Sequence, residues 1–142
     1  MSFDYPDGVR FRCIRCGVCC GDTEVKTRRI LLLSEEAERI GVATAQSIVK
    51  FAVKVEGKEP YSYEMKKKEG KCVFFENCGC RIYSVRPLIC RFYPFELKCV
   101  ADGRYTFLYT SECKGINKGA VLSKNYFKKL FRLARLRMGK QQ

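Results

Sequence analysis

Cys13-Ile14-Arg15-Cys16-Gly17-Val18-Cys19-Cys20 places four thiols within eight residues, the densest chemistry in this sequence. Two-residue gaps let successive sulfurs turn inward around one centre, as in bacterial ferredoxins and zinc knuckles. Gly17 and Gly21 permit the tight backbone such a loop requires. Cys19 and Cys20 are neighbours whose side chains tend to diverge, so one of them is expected to face a second site or a bridging position. Six further cysteines, Cys72, Cys78, Cys80, Cys90, Cys99 and Cys113, come from scattered later positions. Ten cysteines without a single histidine leave thiolates, perhaps helped by carboxylates, as the metal donors. Such sites suit zinc, iron–sulfur clusters or Cu(I). The missing histidine also removes the commonest general base. No phosphate-binding glycine loop or dinucleotide fingerprint is present. A complete hydrolase or a self-contained methyltransferase is therefore not expected, and no residue is assigned a catalytic role.

The elements that must position these thiols read as α+β, a small single domain over residues 1–142 with short strands and three or four helices. Residues 25–33 carry an apolar run ending in Ile30-Leu31-Leu32-Leu33, a buried strand or the approach to a helix. Ser34 suits an N-cap, with Glu35, Glu36 and Glu38 in the first turn and Gly41 as the stop. A second helix is expected from about Thr44, because Ile48, Phe51, Ala52 and Val55 fall at three-and-four spacing. Residues 61–66 alternate as a strand, residues 68–70 turn, and residues 71–75 return as its partner carrying Cys72. Pro87 should open a short helix through Cys90. Residues 95–100 and 104–109, joined at Asp102-Gly103, form a hairpin. A loop with Cys113, Gly115 and Gly119 leads to a basic C-terminal helix from about Ser123, within residues 119–142.

With 142 residues, 46% hydrophobic and 30% charged, the chain has globular composition. No apolar run approaches the roughly 18 residues that span a bilayer. The opening residues lack a cationic, then apolar, signal pattern, which points to the cytoplasm. In a reducing compartment so many cysteines favour metal over disulfides. A disulfide framework is the lesser reading. Hyperthermophile proteins are the exception that keeps it, and the three Asn and three Gln are compatible with a thermophile. The net charge of +13 suggests an acidic partner, either a protein surface or nucleic acid. A tetrathiolate zinc site or a [4Fe–4S] cluster with four thiolates changes that charge by only about −2, so charge does not discriminate between them.

The sequence resembles the CxxCxxCC cysteine-cluster family of zinc- or iron-chelating domains. The likeness runs through Phe11-Arg12-Cys13, Cys16-Gly17 and Cys19-Cys20, then Cys72-Val73-Phe74-Phe75 and Cys80-Arg81-Ile82-Tyr83. It continues through residues 86–95, which include Arg86-Pro87, Cys90 and Arg91, and through the loop at residues 113–119. The resemblance implies chelation by eight cysteines, here Cys13, Cys16, Cys19, Cys20, Cys72, Cys80, Cys90 and Cys113. Cys78 and Cys99 are then auxiliary thiols. Relatives include a domain of flagellin lysine methylases thought to hold an iron–sulfur cluster, whereas many members have no assigned activity.

Three clustered cysteines plus a remote one is the ferredoxin-like arrangement, and the second half lacks a paired zinc knuckle. One or two iron–sulfur clusters, [4Fe–4S] in type, are therefore weighed ahead of zinc. Arg86 and Arg91 flank Cys90 as candidate cofactor-binding donors that would offset cluster charge, against the plainer reading of surface cations. Phe92, Tyr93 and Phe95 would shield a cluster or simply be core. Electron transfer, or an accessory step in modifying a macromolecule, is the leading function. The alternative is a zinc-stabilised nucleic-acid-binding module that uses the basic final helix.

Overall fold

The computed structural model describes residues 2–13, 21–22, 27–77 and 79–139. Cys16, Cys19, Cys20 and Cys78 lie outside these residues, as does most of the dense N-terminal motif. The chain opens with β1 (Ser2–Asp4) and β2 (Arg10–Phe11), then reaches the apolar run at β3 (Leu31–Leu32). Ile30, Leu32 and Leu33 are all but fully buried. Helix α1 (Ser34–Thr44) follows and presses Ala37 and Ile40 into the same cluster.

Two expected boundaries of α1 are wrong. Leu33, not Ser34, holds the cap position, and the Leu33 N–H is satisfied by the Glu36 carboxylate at 2.9 Å. Leu33 has no acceptor of its own, so only the returning half of a capping box forms. Gly41 does not stop the helix either. The Gln46 N–H bonds to the Gly41 carbonyl and the Ala45 N–H to that of Val42, a Schellman closure with Ala45 left-handed at φ 54°.

The expected second helix is a correction as well. After a single 3₁₀ turn at Ile48–Lys50 the chain extends into β4 (Ala52–Lys54), which pairs antiparallel with β5 (Tyr63–Met65). Within β4, Ala52 enters the core while Val53 faces solvent, and three residues are too few to show a strand's period. Sheet pairing decides between helix and strand. The resulting order is β3-β5-β4, with α1 against it.

The expected partner strand at residues 71–75 divides in two. β6 (Lys67–Lys68) and β7 (Lys71–Cys72) form one hairpin through Glu69-Gly70, both at positive φ as a tight primed turn requires. β8 (Phe75–Glu76) and β9 (Gly79–Cys80) form the next hairpin. A 3₁₀ turn at Tyr83–Val85 leads to α2 (Leu88–Phe92), opened at Pro87 as expected. The hairpin at Asp102-Gly103 is present as β10 (Phe95–Ala101) and β11 (Arg104–Tyr109), with β1 added in parallel along β11. The region after Cys113 is more than a loop. β12 (Ile116–Val121) pairs with β2, and α3 (Lys124–Gly139) closes the chain. The whole is a small domain of three helices and several small sheets among the described residues.

Two apolar clusters organise these pieces. The first joins β3, α1, β4, β5 and the hairpins, with Phe51 and Phe74 at its centre. The second is aromatic, with Phe92, Phe95, Phe107, Phe127 and Phe131 packed largely edge to face. α2 belongs to both, since Leu88 and Phe92 enter the second while Ile89 and Cys90 pack on the first. Phe92 and Phe95 are thus core, as the plainer reading held, and Tyr93 lies beneath the Arg28 guanidinium at 5.1 Å. α3 buries Phe127, Phe131 and Ala134 and turns Lys124, Lys128, Lys129, Arg132 and Arg135 to solvent.

Candidate metal centre

The cysteine motif begins where β2 ends, and its first described thiol, Cys13, is exposed. Immediately before it, the Arg12 N–H donates to the Gly115 carbonyl at 3.1 Å. The two backbones approach so closely that a Cβ on Gly115 would overlap the Arg12 carbonyl. Gly119, left-handed at φ 76°, lies against Arg12 in the same way, and its carbonyl accepts from Arg10 Nε at 2.7 Å. The glycine pair after Cys113 therefore serves to seat the entry to the motif beside Cys113, which is itself buried.

The far end of the motif is held just as firmly. Gly21 bridges to Lys71, the residue before Cys72, and the Asp22 N–H donates to the Gly70 carbonyl at 2.8 Å. A Cβ on Gly21 would meet the Gly70 carbonyl at 2.7 Å and overlap the Lys71 stem. Close approach, not only loop torsion, is thus what requires glycine at this position. The Asp22 carboxylate accepts from Lys67 Nζ and from the Arg28 N–H, each at 2.7 Å. The Lys67 bond, then the Arg28 bond, hold its carboxyl below the usual carboxylate range. Lys66 acts as a second strap, its Nζ bonding the Val49 carbonyl at 2.7 Å. Nothing in the local sequence signals either contact, since both partners are remote along the chain.

Arg12 is thus held at Gly115, two residues after Cys113, and Gly21 at Lys71, the residue before Cys72. Cys72 is buried on β7, and its sulfur accepts the Phe74 N–H at 3.5 Å, the kind of amide contact that supports a ligating thiolate. Cys80, on β9 opposite Phe75, and Cys90, in α2, border the same apolar cluster as Cys72 and are half-buried. Cys99 is exposed on β10, and its thiol donates to the Ala101 carbonyl at 3.3 Å. Among the described residues no group of three or more cysteine and carboxylate side chains gathers as a metal site. The described donor set is nonetheless all thiolate chemistry without histidine, partly buried and amide-supported, which fits zinc or iron rather than a hard cation.

Arg86 and Arg91 make their described hydrogen bonds to the 3₁₀ turn. Arg86 Nε bonds the Tyr83 carbonyl at 3.0 Å, and its guanidinium lies 3.8 Å over the Tyr83 ring. Arg91 Nη2 reaches the Ser84 carbonyl at 3.4 Å, while its buried Nε has no acceptor among the described residues. Both arginines therefore shape the segment that carries Cys90.

The residues flanking the cysteine-dense motif, Arg12 and Gly21, are bonded to segments next to Cys113 and Cys72, an arrangement that suits a small chelating domain. The chain belongs to the CxxCxxCC family, described as "Putative zinc- or iron-chelating domain", whose model matches residues 12–114. It is 32% identical over 136 residues to "Uncharacterized protein MJ0661" of Methanocaldococcus jannaschii, covering 90% of this chain and 71% of that one. It is 30% identical over 122 residues to "Uncharacterized protein MJ0939" of the same organism, covering 82% of this chain and 41% of that one. No solved structure matches the chain. Among the described residues, no helix is long and apolar enough to cross a membrane.

The clamp at Gly115 leads to a prediction. Gly115→Ala should force the Arg12 carbonyl away and cost about 1–3 kcal/mol, as overpacking against backbone does. A lowered melting temperature together with reduced metal retention is expected. Gly8→Ala, where nothing lies within 4 Å, should cost only about 1 kcal/mol of left-handed backbone strain and leave metal content intact.

Proposed function

We propose that this protein is an iron–sulfur protein whose ligands are drawn from Cys13, Cys16, Cys19, Cys20, Cys72, Cys80, Cys90 and Cys113. The observation that carries this reading is the double anchoring of the N-terminal motif, at Gly115 beside Cys113 and at Lys71 beside Cys72. These contacts join Arg12 and Gly21, which flank the motif, to residues close in sequence to Cys113 and Cys72, and that supports a ligand set shared between the two halves. A cluster, when bound, would supply one-electron chemistry. The chain's own residues would set its environment. Phe74 offers an amide to sulfur, the first apolar cluster limits water around Cys72, and Arg86 and Arg91 place fixed positive charge beside Cys90. We read the role as electron transfer or an accessory step in macromolecule modification, in a reducing, cytoplasmic setting, within one domain over residues 1–142.

Anaerobic purification should give a brown protein with broad absorption near roughly 400 nm and matching iron and acid-labile sulfide. A colourless protein with stoichiometric zinc would overturn the iron–sulfur reading while leaving the chelating family intact.

A second reading rests on the exposed cations of α3: a zinc-stabilised module that binds nucleic acid. Affinity for single-stranded RNA should then fall steeply between 50 and 200 mM salt, by roughly tenfold or more for every few phosphates neutralised. Absence of binding at the lower salt would remove this reading.

A further inference from the structure

α3 turns one face into the core and the other to solvent. Phe127, Phe131 and Ala134 are buried, and Tyr126 packs edge to face on Phe95 and Phe127. The exposed arc carries Lys124, Lys128, Arg132 and Arg135, spaced by four, four and three residues. At about 100° per residue those four fall within roughly 80° of the helix circumference, a single row about 16 Å long. Lys129 flanks the row, and Leu136 is exposed beside its far end.

Folding alone does not call for this row. α3 contains no acidic residue. The ion pairs among the described residues are Arg29–Glu64, Lys67–Asp22, Arg81–Glu76 and Arg137–Glu36, none of which draws on the row. Like charges three or four residues apart on a helix repel, and each cation of the row has such a neighbour. Lys124 also stands at the positive end of the helix dipole, where a carboxylate is the stabilising choice. α1 makes that choice with Glu35 and Glu36 in its first turn, whereas α3 has no acid in its own. A face serving only solubility mixes its signs, but a row of one sign complements a polyanion.

We infer that this face of α3 docks along the phosphate backbone of a double-stranded nucleic acid, DNA or RNA, without reading its sequence. Resting on the nucleic-acid reading above, this narrows it to the duplex form. Single-strand sites add aromatic platforms on which bases stack, and the rings of Tyr126, Phe127 and Phe131 pack into the second apolar cluster instead. What remains is counterion release, which scales as about 0.9 per phosphate contact on a duplex and about 0.7 on a single strand. Charge alone therefore favours the duplex. Contacts to phosphate position a protein but carry no sequence information. A lipid surface needs an apolar face to insert, and that of α3 is occupied by the core. An acidic protein would seek apolar anchors at the centre of the face, where the row holds cations.

Fluorescence anisotropy with the full-length, metal-loaded protein tests this on a short mixed-sequence DNA duplex, the matching RNA duplex, one strand alone and polyglutamate. With about four contacts, log Kd should rise with log salt at a slope of about 3.6 on a duplex. At about 50 mM salt the duplex should bind roughly tenfold more tightly than the strand. Lys128→Gln and Arg132→Gln should each lower the slope by about one and weaken duplex binding roughly tenfold at that salt, for every sequence alike. Metal content should not change, and the melting temperature should not fall, because a repulsion is relieved. Lys54→Gln combined with Lys58→Gln removes two exposed cations at and after β4 and should leave affinity within about twofold. A single strand that binds as tightly as the duplex overturns the inference but keeps the nucleic-acid reading. Binding of neither at about 100 µM protein and 50 mM salt removes both. Polyglutamate bound as tightly as the duplex overturns the inference, as does a loss in the Lys54 and Lys58 variant equal to that of Arg132→Gln.

Discussion

Serine in place of Cys113 should strip the protein of most of its metal and lower its melting temperature by 20 °C or more, roughly the loss expected when a structural metal site fails. Cys113 is buried, and it lies two residues before Gly115, whose carbonyl accepts the Arg12 N–H at the entry to the cysteine motif. Among the described residues, α2 and the contacts of Glu36 are what else joins the two apolar clusters. Most of the protein's sheets have two or three short strands, and its core is split into two clusters. Domains of this kind depend on staples, and a thiolate metal site contributes on the order of 10 kcal/mol at neutral pH. Cys72→Ser should behave in the same way, for Cys72 is buried and directly follows Lys71, to which Gly21 bridges. Cys99→Ser is the counter-case. Its thiol is exposed on β10 and bonds the nearby Ala101 carbonyl, so the change should shift stability by less than about 0.5 kcal/mol and leave metal content unchanged. Metal-to-protein ratios and thermal melts on the three variants decide the matter. If Cys113→Ser keeps its full metal complement, Cys113 is not a ligand.

Glu36→Ala should cost about 3–5 kcal/mol, the range found when one partner of a buried ion pair is removed. For a domain of this size that is about 10–20 °C in melting temperature. Glu36 is 2% exposed, and it is the buried charged residue among those described. Its carboxylate joins all three helices: it closes the first turn of α1 through Leu33, caps α2 through Leu88 and holds α3 through Arg137. Removing it strands two backbone donors and a nearly buried guanidinium at once. Glu36→Gln should lie between native and Ala, because one oxygen survives while the new amide opposes a donor. The pair Glu36→Leu with Arg137→Met should recover part of the loss, since the stranded charge is gone, but not all of it, because the Leu33 and Leu88 N–H groups remain without that acceptor. Thermal melts of the four proteins would show this ordering, and a neutral Glu36→Ala would remove Glu36 as the joint.

Residue type was the most legible layer. Cysteine spacing with no histidine pointed to thiolate chelation, and residues 12–114 match the chelating family's model. Local turn chemistry also read well. Glu69-Gly70, Asp102-Gly103 and Pro87 sit where their backbone preferences place them, and the turn at Asp102-Gly103 carries the expected hairpin. What failed was structure decided by partners. Ile48, Phe51, Ala52 and Val55 suit a helix stripe, yet β5 offers Ala52–Lys54 a strand partner, and a three-residue strand has too little period to announce itself. Ser34 is the better cap by composition, but the cap moves to Leu33 because a carboxylate three residues later is buried where it can reach that N–H.

By itself, then, the sequence determined the candidate donors, the family and several of the places where the chain turns, because these depend on side-chain chemistry and on torsions within a few residues. Only the tertiary structure decided that the residues flanking the dense motif are held at Gly115 and Lys71, that Gly21 and Gly115 are required by contact with distant backbone, and that Glu36 binds three helices. Those features rest on approaches between segments tens of residues apart, governed by packing and by the need to satisfy buried polar groups. The feature that opened the sequence, four thiols in eight residues, is sharpened accordingly: its two ends are set by elements that neither its spacing nor its composition reveals.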